Sequence, residues 1–199
     1  MSTQKNAPAA AAYEKAAKIG ESGEDMYDSI KANNWSTALK LNTWLKSYLK
    51  QTDSTVISLQ DKKALFADIS SLETSLGKKN RMQSLLVANH ITYTATAVSA
   101  HRRQLVPADI SFLDFYGREV EIRAGAKDAP ERKRAISEIK KIWSAVRKEV
   151  VRRGGTAEAE RFDKTVSMLE SAKKPAEYSG ISVRLLDEVD ELEAVFTGK

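Results

Sequence analysis

The chain has 199 residues, of which 42% are hydrophobic and 30% charged, and a formal net charge of +5. It holds no cysteine, which excludes disulfides, thiolate metal sites, iron–sulfur ligation and a cysteine nucleophile. Nine glycines and four prolines are too few for a loop-rich or many-stranded fold, so a helical protein with charged faces is expected.

The opening MSTQKNAPAAAAYEKA lacks an apolar core and does not read as a signal peptide. Residues 1–8 are expected to form a polar tether, either such as an exported or lipid-anchored chain carries at its start or an ordinary frayed N-terminus. A first helix is predicted from about Ala9 to Ala32, because Tyr13, Ala16, Gly20, Gly23, Tyr27 and Ile30 make one stripe at spacings of three and four. Its two glycines either permit a close helix approach or interrupt the helix. Asn33-Asn34 is a break, and a second helix from Trp35 to Lys50 is predicted with Ala38, Leu41, Leu45 and Tyr48 inward. Beyond the polar TDST linker, a third helix from about Leu59 to Leu76 carries Leu65, Ile69, Leu72 and Leu76, with Gly77 expected as a left-handed C-terminal cap. The fourth is predicted from about Arg81 to Arg103.

Pro107 marks the midpoint, and Asp109 is expected to cap a fifth segment, ISFLDFYGREVEIRAG, which is amphipathic as a helix although its tail alternates like a strand. The sixth helix bears the longest stripe, Ile136, Ile139, Trp143, Val146 and Val150, and ends at Gly154-Gly155. A seventh carries Phe162, Val166 and Leu169 and breaks before Pro175; the last carries Leu185, Val189, Leu192 and Phe196. Helices this short need tertiary partners, so the stripes must face one another in an all-α antiparallel helical bundle.

The second half faintly echoes the first. Trp44 is matched by Trp143, Phe66 by Phe162, Leu72-Glu73 by Leu169-Glu170 and Leu85-Leu86 by Leu185-Leu186, at offsets of 99, 96, 97 and 100. The near-constant offset predicts two pseudo-repeated four-helix modules, residues 9–104 and 108–197, with the two tryptophans in equivalent places. Whether they form separate cores or one continuous bundle stays open at this point.

From Met82 to Ala100 no residue bears a formal charge, yet Gln83, Asn89, His90 and several hydroxyls make the segment too polar for a membrane span. It reads as a central helix with neighbours on several sides, with Leu85, Asn89 and Thr96 inaccessible. Asn89, His90 and Tyr93 are the candidate ligand-binding residues beside it. His90 and His101 are the candidate metal ligands. They are 11 residues apart on one helix, a rise of about 16 Å, so a metal would need further donors from other helices. The plainer reading makes His90 a hydrogen-bonded interhelical histidine and His101 a helix-end cation. No Glu-x-x-His or His-Glu-x-x-His occurs, nor a phosphate-binding glycine loop or nucleophile elbow, so a non-enzymatic protein with no cofactor is expected.

Residues 131–153 hold nine Lys or Arg against three Glu, while residues 177–199 hold six Asp or Glu against two Lys or Arg. Either the basic and acidic helices neutralise one another, or Arg132, Lys133, Arg134, Lys140, Lys141, Arg147 and Lys148 meet an anionic envelope or membrane surface, or a nucleic acid.

The segment PADISFLDFYGREVEIRA, followed by a basic helix with its Trp, resembles a group of uncharacterised bacterial exported helical-bundle proteins. In those, an Asn/Asp-Trp turn (here Asn34-Trp35) precedes a Leu-Asp-Tyr-Leu-Gly-Arg-Glu-like segment (here Leu113 to Glu119, with Phe115-Tyr116 in place of Tyr-Leu). The resemblance implies an extracytoplasmic place and no known activity. The reading is a non-enzymatic interaction or ligand-binding protein of the bacterial envelope, partnered by protein or by an anionic envelope surface. Its alternatives are a metal or small-ligand carrier with a pocket beside the fourth helix, and a cytoplasmic nucleic-acid accessory protein using the sixth.

Overall fold

The computed structural model describes residues 7–100 and 106–198, with side chains from Glu14 onward. The described residues form eight α-helices and no strand: α1 (Ala7–Lys31), α2 (Trp35–Gln51), α3 (Leu59–Gly77), α4 (Arg81–Ala100), α5 (Ala108–Gly125), α6 (Ala129–Arg152), α7 (Thr156–Ser171) and α8 (Pro175–Thr197). They divide into two compact units, α1–α4 and α5–α8. In the first, α1 packs beside α2 and α4, and α3 also lies beside α2 and α4, closing a ring of four. The second repeats this plan with α5 beside α6 and α8, and α7 between the same two. Short links make ring neighbours antiparallel, as in an up-and-down bundle.

Each core is built from the expected stripes, with corrections of phase. In α3, Leu65, Ile69, Leu72 and Leu76 are all buried. So are Ile136, Ile139, Trp143, Val146 and Val150 in α6, Phe162, Val166 and Leu169 in α7, and Leu185, Val189, Leu192 and Phe196 in α8. In α2 the inward residues are Ala38, Asn42, Leu45 and Leu49, whereas Leu41 and Tyr48 are only half-buried. Asn42 holds a core position because its amide donates to the Ile69 carbonyl of α3 at 3.1 Å, which offsets part of the desolvation that a buried amide costs. The strand-like tail of α5 is helical to Gly125, and the helix begins one residue before Asp109, with Pro107 at its N-cap position and no side-chain cap. Gly77 ends α3 as a helical residue; the left-handed conformation after it falls on Lys79 instead. Tyr13 lies outside the residues with described side chains.

The two units share a first hairpin at a constant offset of 94. Asn33 and Lys127 both take φ of 58°, and each precedes a helix whose N-cap carboxamide or carboxylate, from Asn34 or Asp128, accepts the backbone N–H three residues on. The N–H of Asn34 reaches the carbonyl of Ser29, and that of Asp128 reaches Arg123, at the same spacing. Gly23 in α1 and Gly117 in α5 both lie where an added Cβ would strike the fourth helix of their own unit. The offset places Trp143 opposite Leu49, not Trp44. The burial agrees: Trp143 is 4% exposed and Trp44 46%, so the two tryptophans are not equivalent. The units then diverge at the far end. α6 runs to Arg152, whereas its counterpart stops at Gln51 and the link 52–58 closes the bundle by burying Val56 and Ile57.

Candidate functional site

α4 presents its polar residues on opposite sides. Asn89 and Thr92 are fully or nearly inaccessible, and Thr92 with the Ala88 carbonyl faces Gly23 of α1 across a tight seam. Leu85 is buried as expected, while Thr96 is half-buried, because α4 is lined by α1 on one side and α3 on the other and leaves a strip open between them. His90 falls on that open side. Its ring Nδ1 lies 2.9 Å from Asp68 Oδ2 of α3 and its side chain is 53% exposed. The histidine is therefore interhelical but sits on the rim. Tyr93 lies one turn on, its ring 6.1 Å from that of His90. Asn89 points to the core and His90 to solvent, so the three residues do not converge on one pocket. His101 lies outside the described residues. Among the described residues no group of three or more His, Asp or Glu is placed to hold a metal ion.

The basic residues of α6 are mostly occupied. Arg147 grips Asp163 of α7 through Nε at 3.0 Å and Nη2 at 2.7 Å, and Trp143 Nε1 donates to the same carboxylate at 2.7 Å. Lys140 pairs with Glu170 of α7, Arg134 with Glu131, and Lys141 with Glu138. Arg132 lies over the Tyr178 ring at 4.4 Å. Lys133 and Lys148 are exposed and enter no ion pair among the described residues. The neutralising acids come from α7 and from α6 itself rather than from α8, since α6 and α8 stand diagonally in the ring. α8 spends its own acids on Arg161 of α7, through Glu191, and on Arg184, through Glu188.

These contacts set two opposite pH dependences. The Arg147 hydrogen bonds, with that from Trp143, hold the Asp163 carboxyl below its usual range. A lowered folded pKa contributes stability above the unfolded value that is lost as the pH falls through the folded one. Asp163→Asn is expected to melt lower at neutral pH, with the difference from wild type closing in acid. Asp190 is the reverse: desolvation, then the neighbouring Asp187 charge, raises its pKa, although Arg118 opposes this. Asp190 is exposed, so solvent screens most of this and its ionised form costs little at neutral pH; Asp190→Asn is expected to melt slightly higher there, converging with wild type in acid. Thermal melts across the carboxylate range check both signs.

A cleft of about 470 Å³ opens at one end of the second unit, lined by Arg153, Gly155, Glu158, Arg161, Glu191 and Val195. Its guanidinium groups are already paired, Arg153 with Glu149 and Arg161 with Glu158 and Glu191.

A different surface emerges on α2. The Trp44 indole is 46% exposed and stacks on Tyr48, one turn on, with centroids 4.9 Å apart and planes within 17°. Tyr48 donates its hydroxyl to the Lys15 carbonyl of α1 at 3.4 Å, which fixes the stack against the α1–α2 seam. Burial, with the charge of Glu21 adding, pushes the Tyr48 hydroxyl's pKa up. Lys40 lies one turn before Trp44, in the same row of the helix. α2 holds Lys40, Lys46 and Lys50 and no acidic residue; only Lys46 is spent, on Glu73 of α3 at 2.9 Å.

No protein-family model, curated protein or solved structure matches the chain. The features of α2 therefore stand on their own geometry. The sequence did carry a signal for it. Lys and Arg outnumber Asp and Glu by fourteen to nine in residues 1–104 and equal them at eighteen each in residues 105–199. The whole net charge thus belongs to the first unit, while the conspicuous basic run lies in the balanced second.

Proposed function

We propose that the protein is a non-enzymatic interaction protein of the bacterial cell envelope, and that α2 of the first unit carries its recognition face for an anionic partner. The observation that supports this reading is the solvent-facing Trp44, stacked on the half-buried Tyr48, on a helix with unspent lysines and no carboxylate. Exposed aromatic anchors held in place by their neighbours supply most of the energy at recognition surfaces, since little side-chain freedom remains to be lost. The counterpart helix offers a contrast. At the shared offset Trp44 corresponds to Glu138, which pairs with Lys141, so the same architectural position carries an aromatic in one unit and a neutralised ion pair in the other. The envelope placement rests on the resemblance of the Asn34-Trp35 turn and the Leu113–Glu119 segment. No described helix is long and apolar enough to cross a membrane. A two-module duplication accounts for the common hairpin, and the divergence of α2 from α6 is what specialised copies would show.

Retention on a sulfated matrix tests the reading. The double variant Lys40→Glu/Lys50→Glu is expected to elute at clearly lower salt than wild type. Lys133→Glu/Lys148→Glu changes the net charge equally and is expected to elute later than the α2 variant. Equal shifts from the two would mean that net charge alone governs retention, and would remove α2 from its role.

A further inference from the structure

We infer that the partner met by this face is a phospholipid surface bearing anionic headgroups, with the Trp44 indole at headgroup depth and Lys40 and Lys50 over the phosphates. The inference rests on the reading that α2 is the recognition face.

Three observations carry it. First, the charge is complementary: α2 has three lysines and no acid, and Lys40 and Lys50 enter no ion pair among the described residues. Basic side chains are attracted to an anionic bilayer surface, and the attraction is screened by salt. Glu21 of α1 lies within electrostatic reach of the Tyr48 hydroxyl.

Second, the aromatic pair suits an interface. An indole and a phenol each join an apolar body to one polar edge, and such rings settle at the headgroup level of bilayers. Here the phenol edge is tied to the Lys15 carbonyl, so the stack presents a preset surface. It is a single pair on the convex side of a helix. Binding a nucleic-acid strand by stacking instead uses successive rings for successive bases along a groove.

Third, two exposed hydroxyls of α2, those of Thr43 and Ser47, are turned onto their own helix. Thr43 Oγ1 donates to the Leu39 carbonyl at 2.9 Å, and Ser47 Oγ donates to the Thr43 carbonyl at 3.2 Å. Both donors are already satisfied and offer no hydrogen to a phosphate oxygen. Moving them into a water-poor headgroup layer leaves no orphaned donor. The face is thereby less polar than its sequence.

The test uses the full chain and vesicles of phosphatidylcholine with or without phosphatidylglycerol, read by co-sedimentation and tryptophan emission. Binding is expected only with phosphatidylglycerol, reversed by salt, and accompanied by a blue shift that Trp44→Phe abolishes while Trp35 and Trp143 remain. Lys40→Glu/Lys50→Glu is expected to weaken binding by tenfold or more, and Lys133→Glu/Lys148→Glu by a smaller factor. Equal binding to phosphatidylcholine alone, or a blue shift surviving Trp44→Phe, would overturn the inference. So would tighter binding to a single-stranded oligonucleotide at the same salt. Retention on the sulfated matrix without vesicle binding overturns the bilayer alone and leaves the recognition face standing. Retention on neither overturns both.

Discussion

Ile139→Asp is expected to abolish the folded second unit. Ile139 is wholly inaccessible at the centre of the stripe Ile136, Ile139, Trp143, Val146 and Val150, within a core that also takes in Leu113, Phe162 and Leu185. The substitution removes the branched side chain and puts a carboxylate in its place. Losing a buried aliphatic costs about 2–5 kcal/mol, and a charge left without a partner adds several more. A small domain holds only about 5–15 kcal/mol in total, so the sum consumes most or all of it. Trp143 reports the outcome. Its indole is 4% exposed and packs on Phe162 at 4.6 Å, so unfolding of this unit moves its emission to the red. Lys141→Asp, two residues on and on the opposite, outer face, is the control, expected within about 0.5 kcal/mol of wild type. A melt of Ile139→Asp within a few degrees of wild type would mean that Ile139 lies outside the core.

Ile139 was readable because its neighbours in the stripe are all aliphatic or aromatic, and a helix with one greasy side has one way to face a partner. The same logic failed at α2. There the apolar pattern puts Leu41 inward, whereas the core position belongs to Asn42, whose hydrogen bond to the Ile69 carbonyl no local pattern shows. The matching of halves failed for a related reason. It rested on residue type, and Trp44 and Leu49, five residues and about 140° apart around α2, cannot both match the inward Trp143. Only the backbone of the Asn33 and Lys127 turns, with their shared positive φ, selects the offset of 94. Charge was the least legible feature. The run from Arg132 to Lys148 looks like an exposed basic face, but its opposing acids, Asp163 and Glu170, arrive from α7 through the antiparallel pairing. At Trp44 periodicity predicts no more than a position off the inward face. Its stacking on Tyr48 and the tie to Lys15 depend on how α1 lies beside α2.

The helix seam between α1 and α4 makes the sharpest demand on single residues, and three glycine-to-alanine substitutions are expected to rank in a fixed order. Glycine inside a helix costs about 0.5–1 kcal/mol relative to alanine, so each replacement would stabilise if space allowed. At Gly20 space allows: an added Cβ would meet the Ala95 methyl at 3.5 Å, an ordinary contact, and Gly20→Ala is expected to raise the melting temperature slightly. At Gly23 it does not. The Cβ would stand 2.5 Å from Thr92 Oγ1, 3.0 Å from the Thr92 nitrogen and 3.1 Å from the Ala88 carbonyl oxygen. The hydroxyl can rotate away, but two of these atoms are backbone, so the two helices must part along their length. That loosens a seam in which Ala16, Ile19, Ala88 and Ile91 are buried on the helices it joins. Overpacking of this kind costs about 1–3 kcal/mol, which outweighs the propensity gain. Gly117 in α5 is intermediate: its Cβ would meet the Leu185 and Leu186 methyls at 2.6 and 3.2 Å, ends of side chains that can turn without moving the helix. Urea melts of the full chain are expected to place Gly20→Ala above wild type, Gly117→Ala below it and Gly23→Ala lowest. A Gly23→Ala protein as stable as Gly20→Ala would mean that α1 and α4 do not make their closest approach at Gly23, and the tight packing against Thr92 would go with it.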